Sequence, residues 1–185
     1  MKKAVALLLG VFLLAGCSAE TELSRALDFR SRLLAGQGCI FTAQVTADYG
    51  DELQEFTMDC EADARGGIGF TVSSPETIAG ISGTLSESGG ALTFDDTALQ
   101  FPLMAQDSLS PVSAPWIFLR TLRSGYIVSA CMEEDLLRLS IDDSFDEDAL
   151  RLDIWLDENQ NPIRAEILHD GLRILTLRIG NFRIV

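Results

Sequence analysis

The sequence predicts an α+β fold, mainly antiparallel β, in which a strongly curved half-barrel sheet wraps around an N-terminal helix and a short inserted apolar helix. Three observations predict it. Apolar residues recur at three-to-four spacing before Gly36, which indicates a helix. Apolar and polar residues then alternate over most of the chain, which indicates strands. One apolar segment between Pro111 and Gly125 breaks that alternation.

The start of the chain has the pattern of an export signal. Two lysines precede an apolar run at 4–14, and the run ends at Leu14-Ala15-Gly16-Cys17. This ending resembles the lipobox of bacterial lipoproteins, in which the cysteine receives a diacylglycerol and becomes the first residue after cleavage. We therefore expect a signal peptide at 1–16, the lipidated Cys17 and a tether at 17–22, and a single domain at 23–185. An ordinary signal peptide with a chance cysteine is the alternative.

Charge restricts the partners. Cleavage before Cys17 would leave 169 residues, enough for one domain with a substantial core. It would also remove both lysines and leave 12 arginines against 28 acidic residues, a net charge of about −16. Such a surface should repel nucleic acid and anionic headgroups. We therefore expect no nucleic-acid partner, and a location on the extracytoplasmic side of the membrane that depends on the acyl anchor.

The first hairpin suggests a disulfide. A two-residue turn at Tyr49-Gly50 would pair the flanking strands so that Phe41 faces Met58 and Cys39 faces Cys60. An exported protein could join the two cysteines as a disulfide. Two buried free thiols are the alternative. The cysteine spacing matches no zinc pattern.

The remaining elements follow from the same patterns. The N-terminal helix would bury an apolar face made of Leu23, Ala26, Leu27, Phe29, Leu33 and Leu34. Further strands are predicted at 68–72, 78–85, 92–94, 126–132, 137–141, 150–156, 163–167 and 172–185. The last strand is apolar on both parities, which indicates a central position with cover on both faces, or a bulge near Gly180. In the inserted helix, Ser113 is a possible cap, Pro115 lies in the first turn and Gly125 ends the helix.

This succession of elements resembles the LolA/LolB-like lipoprotein-carrier family and its relatives among envelope lipoproteins. The hairpin at 41–60 is similar to the opening strands of that family, and the segment at 110–122 lies where the family places an apolar helix within the sheet. Ile154-Trp155-Leu156-Asp157, Asn161-Pro162-Ile163 and Asn181-Phe182 resemble its closing strands. Cys17 places the chain nearer the anchored relatives than the soluble carriers.

The resemblance implies an open half-barrel whose concave face holds acyl chains. A strongly curved sheet has one face that its own side chains do not fill. The candidate lining residues are Phe41, Val45, Phe56, Met58, Phe70, Val72 and Phe94, with Trp116, Ile117 and Phe118 as a lid. Ordinary core packing is the alternative for each of them. Trp155 shares its strand parity with charged residues, so we expect it outside the main core or beneath the N-terminal helix.

No catalytic constellation is present in the sequence. His169 is the only histidine and lies beside the turn signal Asp170-Gly171, and there is no nucleophile elbow or metalloprotease motif. The acidic run at 142–148 has Glu147 where a calcium loop of the EF-hand type needs glycine, so a solvated loop is favoured. We expect no enzyme activity, no metal and no cofactor.

The sequence thus predicts a membrane-anchored envelope lipoprotein that binds the acyl chains of a lipid or lipoprotein in a concave apolar cavity. The alternative is a sensor or structural lipoprotein of the same fold that binds a protein partner at the rim of the sheet and carries no lipid.

Overall fold

The computed structural model describes residues 16–48, 53–94, 97–101, 104–105 and 108–185. Helix α1 spans Gly16–Ala35, and α2 spans Ala114–Ser124 directly after a 3₁₀ turn at Pro111–Ser113. The strands before the inserted helix are β1 Gly38–Asp48, β2 Leu53–Asp63, β3 Ile68–Ser74, β4 Ser82–Ser86, β5 Gly89–Phe94, β6 Thr97–Phe101, β7 Met104–Ala105 and β8 Ser108–Leu109. Those after it are β9 Tyr126–Glu133, β10 Leu136–Asp142, β11 Arg151–Leu156, β12 Pro162–His169 and β13 Leu172–Ile184.

The predicted fold class is confirmed. Eleven strands form one antiparallel, open, curved sheet in the order β6-β5-β4-β3-β2-β1-β13-β12-β11-β10-β9, and β7 and β8 pair separately. The chain therefore builds two wings that meet where β1 pairs with β13. Strand β6 ends at one edge of the sheet and β9 begins at the other, so the connection between them crosses the sheet. Helix α2 lies in that connection, which explains why an apolar helix is inserted there.

Helix α2 lies on the concave face of the sheet. Its buried residues include Trp116, Ile117, Phe118, Leu119 and Leu122, while Arg120 and Ser124 are exposed. It ends at Gly125, where an added Cβ would lie 2.7 Å from the Thr121 carbonyl oxygen and 2.8 Å from that of Asp142. Glycine is thus required for the close approach of helix and strand. Ser113 occupies the N-cap position, but its hydroxyl donates backwards to the Ser110 carbonyl instead of capping α2.

Helix α1 packs against the same face, but with a narrower stripe than predicted. Ala26, Phe29 and Leu33 are buried, whereas Leu23 is 42% exposed and Leu27 and Leu34 are each 50% exposed. Arg30 joins the two helices, because its Nε and Nη1 donate 2.9 Å hydrogen bonds to the carbonyls of Leu122 and Gly125 at the end of α2. The helix begins at Gly16, so the backbone of the expected tether at 17–22 is helical.

Two details of the strands differ from the prediction. Strand β4 begins at Ser82 rather than at 78, because Ile78 and Gly80 belong to a turn in which the Gly80 amide donates to the Val72 carbonyl. Strand β6 was not predicted. The central position of β13 is confirmed, but cover on both faces is not, because burial alternates along the strand. Its pairing with β1 shifts register between Gly180 and Arg183, so the bulge near Gly180 is confirmed too.

Trp155 lies outside the core cluster, on the convex face, as its parity predicts. Its indole is 5% exposed and lies between the guanidinium carbons of Arg138 and Arg164, at 5.2 and 4.5 Å from the ring. Arg138 also donates to Asp153 at 2.6 Å. Cation–π contacts and a charge-assisted hydrogen bond therefore cover an aromatic ring that would otherwise face water.

Candidate functional site

The predicted lining residues of the concave face are mostly buried among other side chains. Phe41, Val45 and Met58 are at most 1% exposed, and Phe56, Phe70 and Val72 are at most 7% exposed. The predicted lid residues Trp116, Ile117 and Phe118 are also at most 7% exposed. All of these belong to one hydrophobic cluster. These residues therefore do share one face, as predicted, and other side chains of the protein cover that face.

Aromatic rings connect the two helices through the centre of the sheet. The Phe41 ring contacts Phe118 of α2 edge-on, with 5.7 Å between centroids, and Phe182 of β13 at 6.0 Å. Phe182 in turn lies 6.3 Å from Phe29 of α1. Such contacts are typical of close-packed cores. At the level of Phe41 the half-barrel is therefore packed, and a guest chain would have to displace Phe118.

Phe94 differs from the other predicted lining residues. The pairing of β3 with β4, β4 with β5 and β5 with β6 places Leu92, Phe94 and Leu99 on the concave side. Phe94 is 54% and Leu99 63% exposed, and Leu92 is partly buried. The far end of the concave face is thus apolar and open. Toward the centre, Gly83 is required, because an added Cβ would lie 2.7 Å from the Phe70 ring and 2.3 Å from the Ala91 carbonyl oxygen.

The predicted register of the first hairpin is wrong by two residues. Cys60 pairs with Phe41, Met58 with Ala43 and Ala62 with Cys39. The two cysteines are therefore diagonal neighbours on the concave face, and both are free thiols in the structure. Burial raises the pKa of the Cys39 thiol to about 11 and also raises that of Cys60. The turn predicted at Tyr49-Gly50 lies outside the described residues.

A second apolar surface was not predicted. Strand β9 forms one edge of the sheet, and its Tyr126, Val128 and Met132 are 42 to 52% exposed. Phe145 is 82% exposed and its ring lies 3.8 Å from that of Tyr126. Helix α1 packs against β9 and leaves Leu23 and Leu27 exposed. We call these six residues, which border the β9 edge on both faces of the sheet, the α1–β9 surface. Alternation in β9 signalled a strand, but edge position is a property of the topology.

The acidic loop after β10 uses its carboxylates internally. Asp142 accepts two hydrogen bonds from Arg151, and Asp143 accepts one from the Leu150 amide. In the part of the chain that the structure describes, no three His, Cys, Asp or Glu side chains are grouped to hold a metal ion. His169 ends β12, and Asp170 and Gly171 form the predicted turn with positive φ.

The prediction for Cys17 concerns the start of α1, where the structure gives the backbone alone. Among the described helices, neither is long and apolar enough to cross a membrane. Lipidation at Cys17 stays a prediction, as does acyl binding by the residues of the concave face.

Comparison with known proteins gives similarity in structure alone. No protein-family model and no curated protein matches the chain. A LolA superfamily protein from Nitrosomonas europaea is 6% identical, with a TM-score of 0.47 over 91% of this chain and 94% of that one. The lipoprotein LppX from Mycobacterium tuberculosis is 13% identical, with a TM-score of 0.43 over 88% and 93%. A chain of the CwlD amidase–GerS lipoprotein complex from Clostridioides difficile is 13% identical, with a TM-score of 0.47 over 85% and 92%. The solved structures similar to this chain thus include a LolA superfamily protein, at low sequence identity.

Proposed function

We propose that this chain is an envelope lipoprotein, anchored through Cys17, whose domain binds a partner protein at the α1–β9 surface and has no enzyme activity. One observation carries the proposal. The centre of the concave face is packed, while apolar side chains remain uncovered on the edge strand β9 and on the helix beside it. Grouped apolar residues on a surface favour a contact with another macromolecule.

The edge of β9 supplies backbone groups for such a contact. Among the described strands β9 pairs with β10 alone, so the outer row of N–H and C=O groups in β9 is open. An unpaired edge is a template for another strand, and native proteins usually protect it with charge or proline. Here Tyr126, Val128 and Met132 leave this edge apolar.

Charge indicates the kind of partner. The chain has a net charge of −14, and Glu133, Glu134 and Asp135 follow directly at the end of β9. A strongly acidic partner would be repelled. The partner expected is therefore an extracytoplasmic protein that presents an apolar strand or helix with neutral or basic flanks.

Matched variants test this proposal. Val128→Lys puts a charge on the edge strand, and Leu172→Lys makes the same kind of change at a residue that is 71% exposed on the β12–β13 hairpin. Lipidated protein is cross-linked in intact cells, and the adducts are identified and counted by mass spectrometry. We expect one dominant protein adduct that falls at least tenfold in Val128→Lys and persists in Leu172→Lys. Equal adduct yields in the two variants would contradict the proposal.

Acyl binding is the second candidate, and the open end of the concave face favours it. Phe94 and Leu99 lie there with about half or more of their surface exposed. An alkyl chain could cover them without displacing Phe118, and burial of each CH₂ contributes about 0.8 kcal/mol. Organic extraction of purified protein followed by mass spectrometry separates the candidates. Co-purified lipid that is lost in Phe94→Asp but kept in Phe145→Asp would favour the carrier, and protein free of lipid would exclude it.

A further inference from the structure

A cavity at the mouth of the half-barrel collects arginine side chains. It measures about 820 Å³ and lies between the second half of α2, the β2–β3 turn and the β4–β5 turn. Arg65, Arg120 and Arg123 line it, together with Ser86, Ser88 and Trp116. The chain has 12 arginines and a net charge of −14. A quarter of its arginines therefore line one concave site on an acidic protein.

Two of the three arginines are held in place, and among the described residues Arg120 alone of the three has an ion-pair partner. Arg123 donates to the carbonyls of Asp63 and Ala64, at 3.4 and 2.5 Å, so backbone oxygens fix its guanidinium. Arg120 lies over the Trp116 ring at 5.3 Å and has Asp143 as its ion-pair partner at 3.7 Å. Within the described residues Arg65 has no ion pair. A guanidinium group has five N–H donors, so each of the three arginines keeps some of them free for a ligand.

The turn beside the arginines is rigid. Asp63 Oδ1 accepts the amides of Arg65 and Gly67, at 2.7 and 3.1 Å, and the Gly66 amide donates to the Asp63 carbonyl. Gly66 has a φ of +87°, and an added Cβ there would meet nothing within 4 Å. The turn thus leaves open space beside Gly66. Preorganised donors around open space reduce the ordering cost of binding.

We propose that this cavity binds a small ligand through its phosphate or carboxylate group, independently of the partner surface on β9. Charge-assisted hydrogen bonds from the guanidinium groups would hold the anion, and Ser88 of the β4–β5 turn also lines the cavity. Asp63 and Glu87 also line the cavity, and Asp63 is occupied by the turn. Glu87 is the other carboxylate that lines the cavity, and its negative charge limits affinity for a simple anion.

Tryptophan fluorescence can report on the site. In the Trp155→Phe background Trp116 is the single tryptophan, since the chain contains two. The full chain in a neutral detergent is titrated with pyrophosphate, and circular dichroism confirms the fold of each variant. We expect a saturable change in Trp116 emission. Arg65→Gln and Arg120→Gln should each weaken binding about tenfold, as loss of a charge-assisted hydrogen bond predicts.

Two further variants make the test specific. Arg183→Gln removes the same charge from an exposed residue of β13 outside the cavity and should change affinity less than twofold. Glu87→Gln removes a repelling carboxylate and should strengthen binding severalfold. Equal losses of pyrophosphate affinity in Arg65→Gln and Arg183→Gln would mean that net charge alone explains the effect, and would overturn the proposal. An absence of binding at millimolar pyrophosphate would overturn it too.

The same titration with a short-chain phosphatidylglycerol, below its micelle concentration, identifies the source of the phosphate. Tighter binding than pyrophosphate, with the same dependence on Arg65, supports the site and assigns a lipid headgroup. Weaker binding supports the site and assigns a water-soluble anion. Lipid binding that ignores both Arg65 and Arg120 contradicts the proposal, because the contact would then be with the alkyl chains alone.

Discussion

Replacement of Phe118 by alanine tests whether the interior of the half-barrel is packed or is a closed cavity that can bind a ligand. Phe118 is fully buried, and its ring contacts that of Phe41 at 5.7 Å. Truncation of a buried phenylalanine costs about 3 to 5 kcal/mol of unfolding free energy, because apolar contacts are lost and a cavity remains. The edge-on ring pair places this site in the upper half of that range.

The assay is urea and thermal unfolding of a chain that begins at Ser18, both monitored by circular dichroism. For a domain of this size the expected loss of about 4 to 5 kcal/mol lowers Tm by roughly 8 to 20 °C. Phe145→Ala is the matched control, since that side chain is 82% exposed and should change stability by less than about 1 kcal/mol. A loss of less than about 1 kcal/mol of unfolding free energy in Phe118→Ala would refute the packed interior. Acyl binding in the concave face would then be the favoured function.

Three further predictions follow from individual contacts. Gly83→Ala should cost about 1 to 3 kcal/mol in the same assay, because its Cβ would lie 2.3 Å from a backbone oxygen, whereas Gly69→Ala, with its nearest contact at 3.8 Å, should be close to neutral. A maleimide at pH 7 should label Cys131 alone in the folded chain from Ser18, and three cysteines after unfolding, because the thiols of Cys39 and Cys60 are buried. Two labels on the folded chain, or a mass increase of about two daltons on reduction, would contradict the free, buried thiols. The free energy of unfolding should fall between about pH 9 and 11. The pKa of Cys39 is raised in the folded chain, so the unfolded chain loses this thiol proton at a lower pH than the folded chain does. A free energy of unfolding that stays constant over that interval would contradict the raised pKa.

The sequence predicted the order of elements well because each element has its own local signal. Period-two alternation located most strands, and two prolines followed by a compact apolar run located α2. The exceptions are instructive. Strand β6, Thr97–Phe101, is short and follows directly after β5, so little alternation is available to signal it. Helix α1 has an apolar stripe wider than its contact with the sheet, and periodicity does not reveal that Leu27 stays exposed.

The error in the hairpin register has a definite cause. Pairing Cys39 with Cys60 or with Ala62 differs by two residues, and side chains alternate with a period of two. Both registers therefore bury the same residues, and the hydrophobic pattern does not distinguish them. Only the loop decides, and Asp48 pairs with Leu53, which leaves four residues between the strand ends rather than two. A disulfide inferred from such a register therefore depends entirely on the turn length that was assumed.

The sequence also does not distinguish a packed core from an empty cavity, because Phe41 and Val45 would alternate in the same way in both. The difference lies in what crosses the concave face. The connection between the two sheet edges must pass over it, and the apolar residues of α2 make that connection part of the core. Among the described strands, the same crossing leaves β9 at an edge with a partner on one side only, and it sets Arg120 and Arg123 at the mouth. One topological feature, a connection from β6 to β9 through the inside of the sheet, thus moves the candidate binding surfaces from the interior to the rim.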